Sequence, residues 1–150
     1  PRMAALHREK GHEIHEYACC EQDAEAVAFT IVDCNNQHSY SALEVRPGYA
    51  DIDTNYVRYS RRMIQVATRR LSTILTALGI TALDLLTVDT EGWELEVMRG
   101  LDTRQIPVKV IVLENYLQDA GYDAYMAALG YDRASWPDHN SIYHRSEERG

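Results

Sequence analysis

The chain has 150 residues, of which 45% are hydrophobic, so its length allows one modest core and gives no reason to expect a second domain. We therefore predict a single domain, or part of one, over residues 1–150. The 15 basic and 23 acidic residues give a formal net charge of -8, which disfavours nucleic acid as a partner because phosphate binding depends on clustered Lys and Arg.

Two further classes of protein are disfavoured by the sequence. No apolar run approaches the roughly 20 residues that span a bilayer, so we expect no membrane partner. The three cysteines, Cys19, Cys20 and Cys34, include no C-x-x-C pair, and an odd number argues against a disulfide framework. A reducing, cytoplasmic location is therefore expected, and the sequence does not indicate an oligomeric state.

The first 60 residues predict two strands and a long polar excursion. Residues 13–18 alternate loosely between apolar and polar side chains, and residues 26–32 form a continuous apolar and β-branched run. From residue 33 to about residue 60, Asn, Ser, Asp, Gly and Pro are interleaved with four tyrosines. Because aromatic side chains need something to pack against, we predict an ordered excursion or hairpin there.

The central residues predict a βαβ unit. A helix begins at Leu71, has apolar residues at i, i+3, i+4 and i+7, and is closed by Gly79. A second helix, residues 93–99, stops at Gly100. Parallel strands that are buried on both faces lose the alternating pattern, so the apolar runs around these helices indicate an α/β protein. The runs are residues 63–67, 83–88 and 108–113.

The C-terminal residues predict an antiparallel end to the sheet. A helix over about residues 120–129 stops at Gly130. Residues 131–135 and 141–145 then pair as a closing hairpin around a polar turn.

Acidic and amide side chains follow the two predicted central strands. In open α/β sheets, ligands bind beyond the carboxyl ends of the strands, and these ends carry Asp89, Glu91, Glu114 and Asn115. Such a group can hold a divalent cation, act as a base, or accept hydrogen bonds from sugar hydroxyls or an ammonium group. In the alternative interpretation, Asp89 or Thr90 caps the following helix, and Glu91 interacts favourably with the helix dipole.

Several familiar catalytic motifs are missing from the sequence. It has no G-x-G pair, no Walker A loop and no G-x-S-x-G nucleophile elbow. Cys19 and Cys20 follow the first strand and either line a ligand pocket or are buried, inert thiols. Asp138 and His139 form either an acid/base pair or part of a polar turn.

Residues 83–100 resemble the "IDxEGxExxxLxG" hallmark of FkbM-family methyltransferases, with each acid and glycine at the family spacing. Weaker similarities lie on both sides of this run. Residues 39–43 resemble the family's "SSL"-like element, and residues 66–71 resemble the strand that leads into its "TLD" helix. Residues 112–114 resemble its "vlE" strand end, and residues 129–131 resemble the "GY" of its final hairpin.

The resemblance implies a Rossmann-like class I methyltransferase sheet, mostly parallel with an antiparallel C-terminal hairpin, and S-adenosyl-L-methionine as the cofactor. The implied reaction is O-methylation of a small molecule or sugar. Asp89 and Glu91 are the implied catalytic residues. Ala18 and Cys19 would approach the adenine, and Asp89 would face both methyl donor and acceptor. Glu114, Asn115 and Asp138 are assigned to the acceptor, and no residue is assigned to a metal.

One part of the family pattern has no counterpart in the sequence. The family's first strand, its glycine-rich cofactor loop and the acid after its second strand should all precede Ala18. We therefore expect a sheet without its first strands, in either a piece of a longer protein or a remnant without catalysis.

Two other functions stay open from the sequence alone. One is a non-catalytic interaction module, with a degenerate methyltransferase fold whose tyrosine-rich residues 40–59 contact a partner. The other is a metal-dependent hydrolase or sugar-handling enzyme that uses Asp89, Glu91 and Glu114 around a cation.

Overall fold

The structure is a computed structural model that describes residues 7–34, 41–44, 59–134 and 139–146. Within these residues the strands form two sheets and the helices pack beside them, which confirms the predicted α/β class. Most of the predicted polar excursion, including Tyr40, Tyr49 and Tyr56, lies outside the described residues, as does Asp138. None of the described helices has the length and apolar character needed to cross a membrane.

The first sheet has three strands in the order β1-β3-β2. They are β1 (Ala18–Cys19), β2 (Ala24–Cys34) and β3 (Tyr59–Arg69). β1 runs parallel to β3, and β2 runs antiparallel to β3. The predicted strand over residues 13–18 is wrong except at Ala18, because four of its first five residues are exposed and so have no apolar face to bury.

The second sheet has four strands in the order β4-β5-β7-β6. They are β4 (Leu83–Val88), β5 (Val108–Glu114), β6 (Tyr131–Ala134) and β7 (Asn140–Arg145). β4 and β5 are parallel, whereas β7 is antiparallel to both β5 and β6. The predicted C-terminal hairpin is therefore confirmed.

The expected mostly parallel sheet is not what the described strands form. Two of their five pairings, β1 with β3 and β4 with β5, are parallel, and the other three are antiparallel. One reason lies in the connections, because neighbouring parallel strands need a long crossover, whereas strands joined by a short turn pair antiparallel. A helix lies in the crossover between β4 and β5, whereas only five residues separate the antiparallel strands β6 and β7.

Three helices are described in full: α1 (Leu71–Ala77), α2 (Glu94–Arg99) and α3 (Gly121–Ala128). Residues 7–9 are also helical. The helices form one core with the second sheet, and each of the three contributes at least one buried apolar side chain to the cluster that includes Ile111 and Leu113 of β5. Gly79 and Gly130 have positive φ angles directly after α1 and α3, as the helix stops predicted.

Gly100 has a second role beside ending α2. Its φ is -76°, so it needs no left-handed backbone. A Cβ atom at this position would instead collide with the backbone carbonyl of Cys20, directly after β1. Glycine is therefore required for α2 to lie against the end of β1, and this contact helps to set the position of Ala18 and Cys19.

Candidate functional site

A cavity of about 290 Å³ lies between the end of β4 and the first sheet. It brings together four of the predicted site residues: Ala18 and Cys19 from β1, and Asp89 and Glu91 from the turn after β4. The two small side chains of β1 form part of the wall. The cavity therefore has an acidic rim at the end of β4 and an uncharged wall at β1.

The apolar part of the cavity was not predicted from the sequence. Phe29 of β2, Leu43 and Trp93 line it. The indole Nε1 of Trp93 donates a hydrogen bond to the Glu44 carbonyl oxygen at 2.8 Å. Ala42 forms an isolated antiparallel bridge with Thr30. Residues 41–43, which belong to the "SSL"-like element, therefore form a wall of the cavity between β2 and the start of α2.

The turn between β4 and α2 is held by Glu94. This side chain has no exposed surface, and its Oε1 accepts hydrogen bonds from the Thr90 and Gly92 amides at 2.8 and 3.1 Å. The Thr90 hydroxyl donates to the same oxygen at 3.2 Å. The alternative in which Asp89 or Thr90 caps α2 is wrong, because Trp93 is the N-cap residue and no side chain caps the helix.

Glu94 lies in the hallmark motif, but no role was predicted for it from the sequence. The available signal was an acid in the first turn of a helix, directly after a turn that contains glycine. That pattern is typical of a side chain that accepts hydrogen bonds from free amides at a helix start.

Glu114, at the end of β5, lies next to the acidic rim. Burial, followed by the negative charges of Asp89, Glu91 and Glu94, raises the pKa of its carboxyl group from 4.5 to about 7. A hydrogen bond with Asp89 also favours the protonated form. The Oε2 atom of Glu114 is buried and has no hydrogen-bond partner among the described residues. Glu114 therefore keeps its proton up to near neutral pH.

Carboxylate oxygens of Asp89, Glu94 and Glu114 lie within 4.8 Å of one another, close enough to hold a metal ion. Glu94, and not the predicted Glu91, completes this group. However, Glu94 already accepts three hydrogen bonds on Oε1 and one on Oε2, from the Tyr122 hydroxyl at 2.6 Å. Most of its acceptor positions are occupied, so it is a poor metal ligand here.

The Asn115 side chain forms its hydrogen bonds within the loop after β5. Its Oδ1 accepts from the Asp119 amide at 2.8 Å, and its Nδ2 donates to the Asp119 carbonyl oxygen at 3.1 Å. The buried side chain therefore does not line the cavity. His139 is described, is exposed and stacks on Tyr116 with ring centroids 4.6 Å apart.

The two neighbouring cysteines differ in position. Cys19 lines the cavity, and burial raises the pKa of its thiol, as does the nearby Cys20. Cys20 is buried, and its Sγ donates to the Gln22 carbonyl oxygen at 3.2 Å. A raised pKa keeps Cys19 protonated and a weak nucleophile, so its contribution to the cavity is its small size.

Comparison with known proteins identifies the family. The model of the methyltransferase FkbM domain matches residues 3–133, which include both parallel strand pairs, the cavity and the turn after β4. No curated protein and no solved structure gives a significant match. The match covers most of the chain. The chain therefore belongs to the FkbM methyltransferase domain family.

Proposed function

We propose that the chain is an S-adenosylmethionine-dependent methyltransferase that acts on a hydroxyl oxygen of a small molecule or sugar. One observation carries this proposal: Ala18, Cys19, Asp89 and Glu91 line a single cavity at the carboxyl end of β4. In α/β sheets this is the position at which ligands bind.

The residues of the cavity suit the cofactor that the family implies. The small side chains of Ala18 and Cys19 leave room for a flat ring, and Phe29 and Trp93 provide aromatic faces against which such a ring can pack. S-adenosylmethionine supplies a reactive methyl group on a positively charged sulfur. Asp89 and Glu91 make the rim negative, and both carboxylates and aromatic faces attract a cation.

The acid pair at the strand ends suits a hydroxyl acceptor. Such an oxygen loses its proton as its new bond to the methyl carbon forms, so a nearby base assists the reaction. Asp89 lines the cavity and is the proposed base, and Glu114 donates a hydrogen bond to it from behind. Because the pKa of Glu114 is about 7, Glu114 can release or take up a proton near neutral pH.

The test compares two aspartates on the same strand and turn. Asp89→Asn removes the charge in the cavity, whereas Asp84→Asn makes the same chemical change at an exposed residue that pairs with Lys109 on the surface. We expect the wild-type chain and Asp84→Asn to bind S-adenosylhomocysteine equally in calorimetric titration. We expect Asp89→Asn to lose methyl transfer from labelled S-adenosylmethionine to a panel of hydroxylated small molecules and sugars.

Two results would contradict the proposal. The first is a folded wild-type chain that binds no S-adenosylhomocysteine, which would favour the non-catalytic interaction module. The second is full methyl transfer by Asp89→Asn, which would remove Asp89 from the reaction.

A further inference from the structure

The turn that presents Asp89 and Glu91 to the cavity has an unfavourable backbone. Glu91 has a φ of 57° and the next residue, Gly92, has a φ of 94°. A glycine adopts such angles freely, but a residue with a side chain does so at a cost. Non-glycine residues in this conformation persist only where surrounding contacts hold them, and they concentrate at functional sites.

One buried side chain provides two contacts beside this residue. The Oε1 of Glu94 accepts the amide hydrogens of Thr90 and Gly92, one on each side of Glu91. The strained residue therefore lies between two amides that bind the same oxygen. If that oxygen moved, both amides would lose this partner, and the backbone on each side of Glu91 would lose a hydrogen bond that holds its conformation.

The position of Glu94 is fixed in turn by Tyr122 of α3. The Tyr122 hydroxyl donates to Glu94 Oε2 at 2.6 Å, and both side chains are buried. A charged group without exposed surface is stable only when its oxygens are hydrogen-bonded. The turn donates hydrogen bonds to Oε1 of Glu94, and Tyr122 donates the hydrogen bond to Oε2.

The same bond connects the segments that follow the two central strands. Glu94, in α2, belongs to the segment after β4, which carries Asp89 and Glu91. Tyr122, in α3, belongs to the segment after β5, which begins directly after Glu114. The two segments are 28 residues apart in the chain at this contact.

We propose that Glu94, anchored by Tyr122, is a positioning residue that holds Asp89 and Glu91 at the cavity and in register with Glu114. This role rests on the proposed methyl transfer, since it is the site of that reaction that Glu94 arranges. Glu94 itself does not line the cavity, and it acts through the backbone of the turn.

A pair of tyrosine variants provides the test. Tyr122→Phe removes the hydroxyl that binds Glu94. Tyr131→Phe is the matched control, because Tyr131 is also buried and its hydroxyl donates to the Val108 carbonyl oxygen at 2.9 Å, a bond that does not involve the turn. Each variant loses one buried tyrosine hydrogen bond, so a general loss of stability affects both.

The readout is hydrogen exchange of individual amides, measured by NMR on the whole chain without ligand. In Tyr122→Phe we expect the Thr90 and Gly92 amides to exchange about tenfold faster, as for the loss of one buried hydrogen bond. The Asp119 amide, which binds Asn115, should keep its rate. In Tyr131→Phe, the exchange rates of the Thr90 and Gly92 amides should change only as far as the variant's global free energy of unfolding changes.

A conservative substitution of Glu94 should preserve the protection of these two amides. Glu94→Gln keeps an acceptor oxygen for Thr90 and Gly92, so their protection should be retained, whereas Glu94→Ala should lose it. The proposal would be overturned if the Thr90 and Gly92 amides exchanged at the same rates in both tyrosine variants. It would also be overturned if their exchange rates in Tyr122→Phe equalled those in the wild type.

Ligand binding separates this proposal from the function on which it rests. We expect Tyr122→Phe to bind S-adenosylhomocysteine more weakly than Tyr131→Phe does. A wild-type chain that does not bind it contradicts the proposed function, whereas the exchange rates, measured without ligand, decide the positioning role by themselves.

Discussion

Replacing Glu114 by Gln should make the protein more stable at alkaline pH, although it removes a charged group from a site of polar residues. The folded protein keeps a proton on Glu114 that the unfolded chain releases, because burial and the charges of Asp89, Glu91 and Glu94 raise its pKa from 4.5 to about 7. A raised pKa contributes stability that is fully present below the unfolded value of 4.5 and is lost as the pH rises through 7. Because Gln is neutral at every pH, the Glu114→Gln protein does not lose this stability as the pH rises.

The size of the effect follows from the two pKa values. The rise from 4.5 to about 7 corresponds to at most about 3.4 kcal/mol, since one unit of pKa is worth about 1.36 kcal/mol. Glu114 is only half-buried, so solvent screening reduces that figure, and we expect about 1–2 kcal/mol between pH 5 and pH 8. Urea unfolding of wild type and Glu114→Gln at both pH values measures the difference directly.

Asp84→Asn is the control for this comparison. Lys109 lowers the pKa of Asp84 below its ordinary value of 3.8, so this group stays charged in both folded and unfolded chains from pH 5 to pH 8. Its stability difference from wild type should therefore be the same at the two pH values. A Glu114→Gln protein that is less stable than wild type at pH 8, or a difference that does not change with pH, would refute the reasoning.

Two backbone positions give further predictions. Gly100→Ala places a Cβ atom against the Cys20 carbonyl and should lower the free energy of unfolding by about 1–3 kcal/mol, whereas Gly121→Ala meets only the movable Asp119 side chain; thermal unfolding of both variants checks this, and equal stabilities would contradict it. Gln118→Gly should raise the free energy of unfolding by about 0.5–1 kcal/mol, because residue 118 has a φ of 52°. Urea unfolding measures it, and a loss of stability would show that the Gln118 side chain outweighs the backbone cost.

Local patterns were enough to predict the second sheet and its helices. The continuous apolar runs at β4 and β5 indicated buried strands, and the glycines after α1 and α3 marked where those helices end. The strand ends could then be placed at one edge, because parallel neighbours have their carboxyl ends together. This is why Asp89 could be assigned to a cavity before any cavity was known.

Contacts that join distant parts of the chain could not be predicted in this way. Nothing near Glu94 in the sequence indicates that its partner is Tyr122, and charged residues are rarely buried without such a partner. The close approach of Gly100 to Cys20 also depends on how α2 lies against the first sheet. The two-residue length of β1 follows from the same packing, since only Ala18 and Cys19 reach the end of β3.

Four acids near the ends of β4 and β5 would repel one another if all were equally charged and equally buried. The structure places them in different environments. Glu94 is stabilised by four hydrogen bonds. Glu114 keeps its proton up to about pH 7. Asp89 and Glu91 remain as the two acids that border the cavity. The negative field is thus concentrated at the cavity and is reduced behind it, an arrangement that suits a positively charged ligand, such as the proposed methyl donor, better than an anionic one.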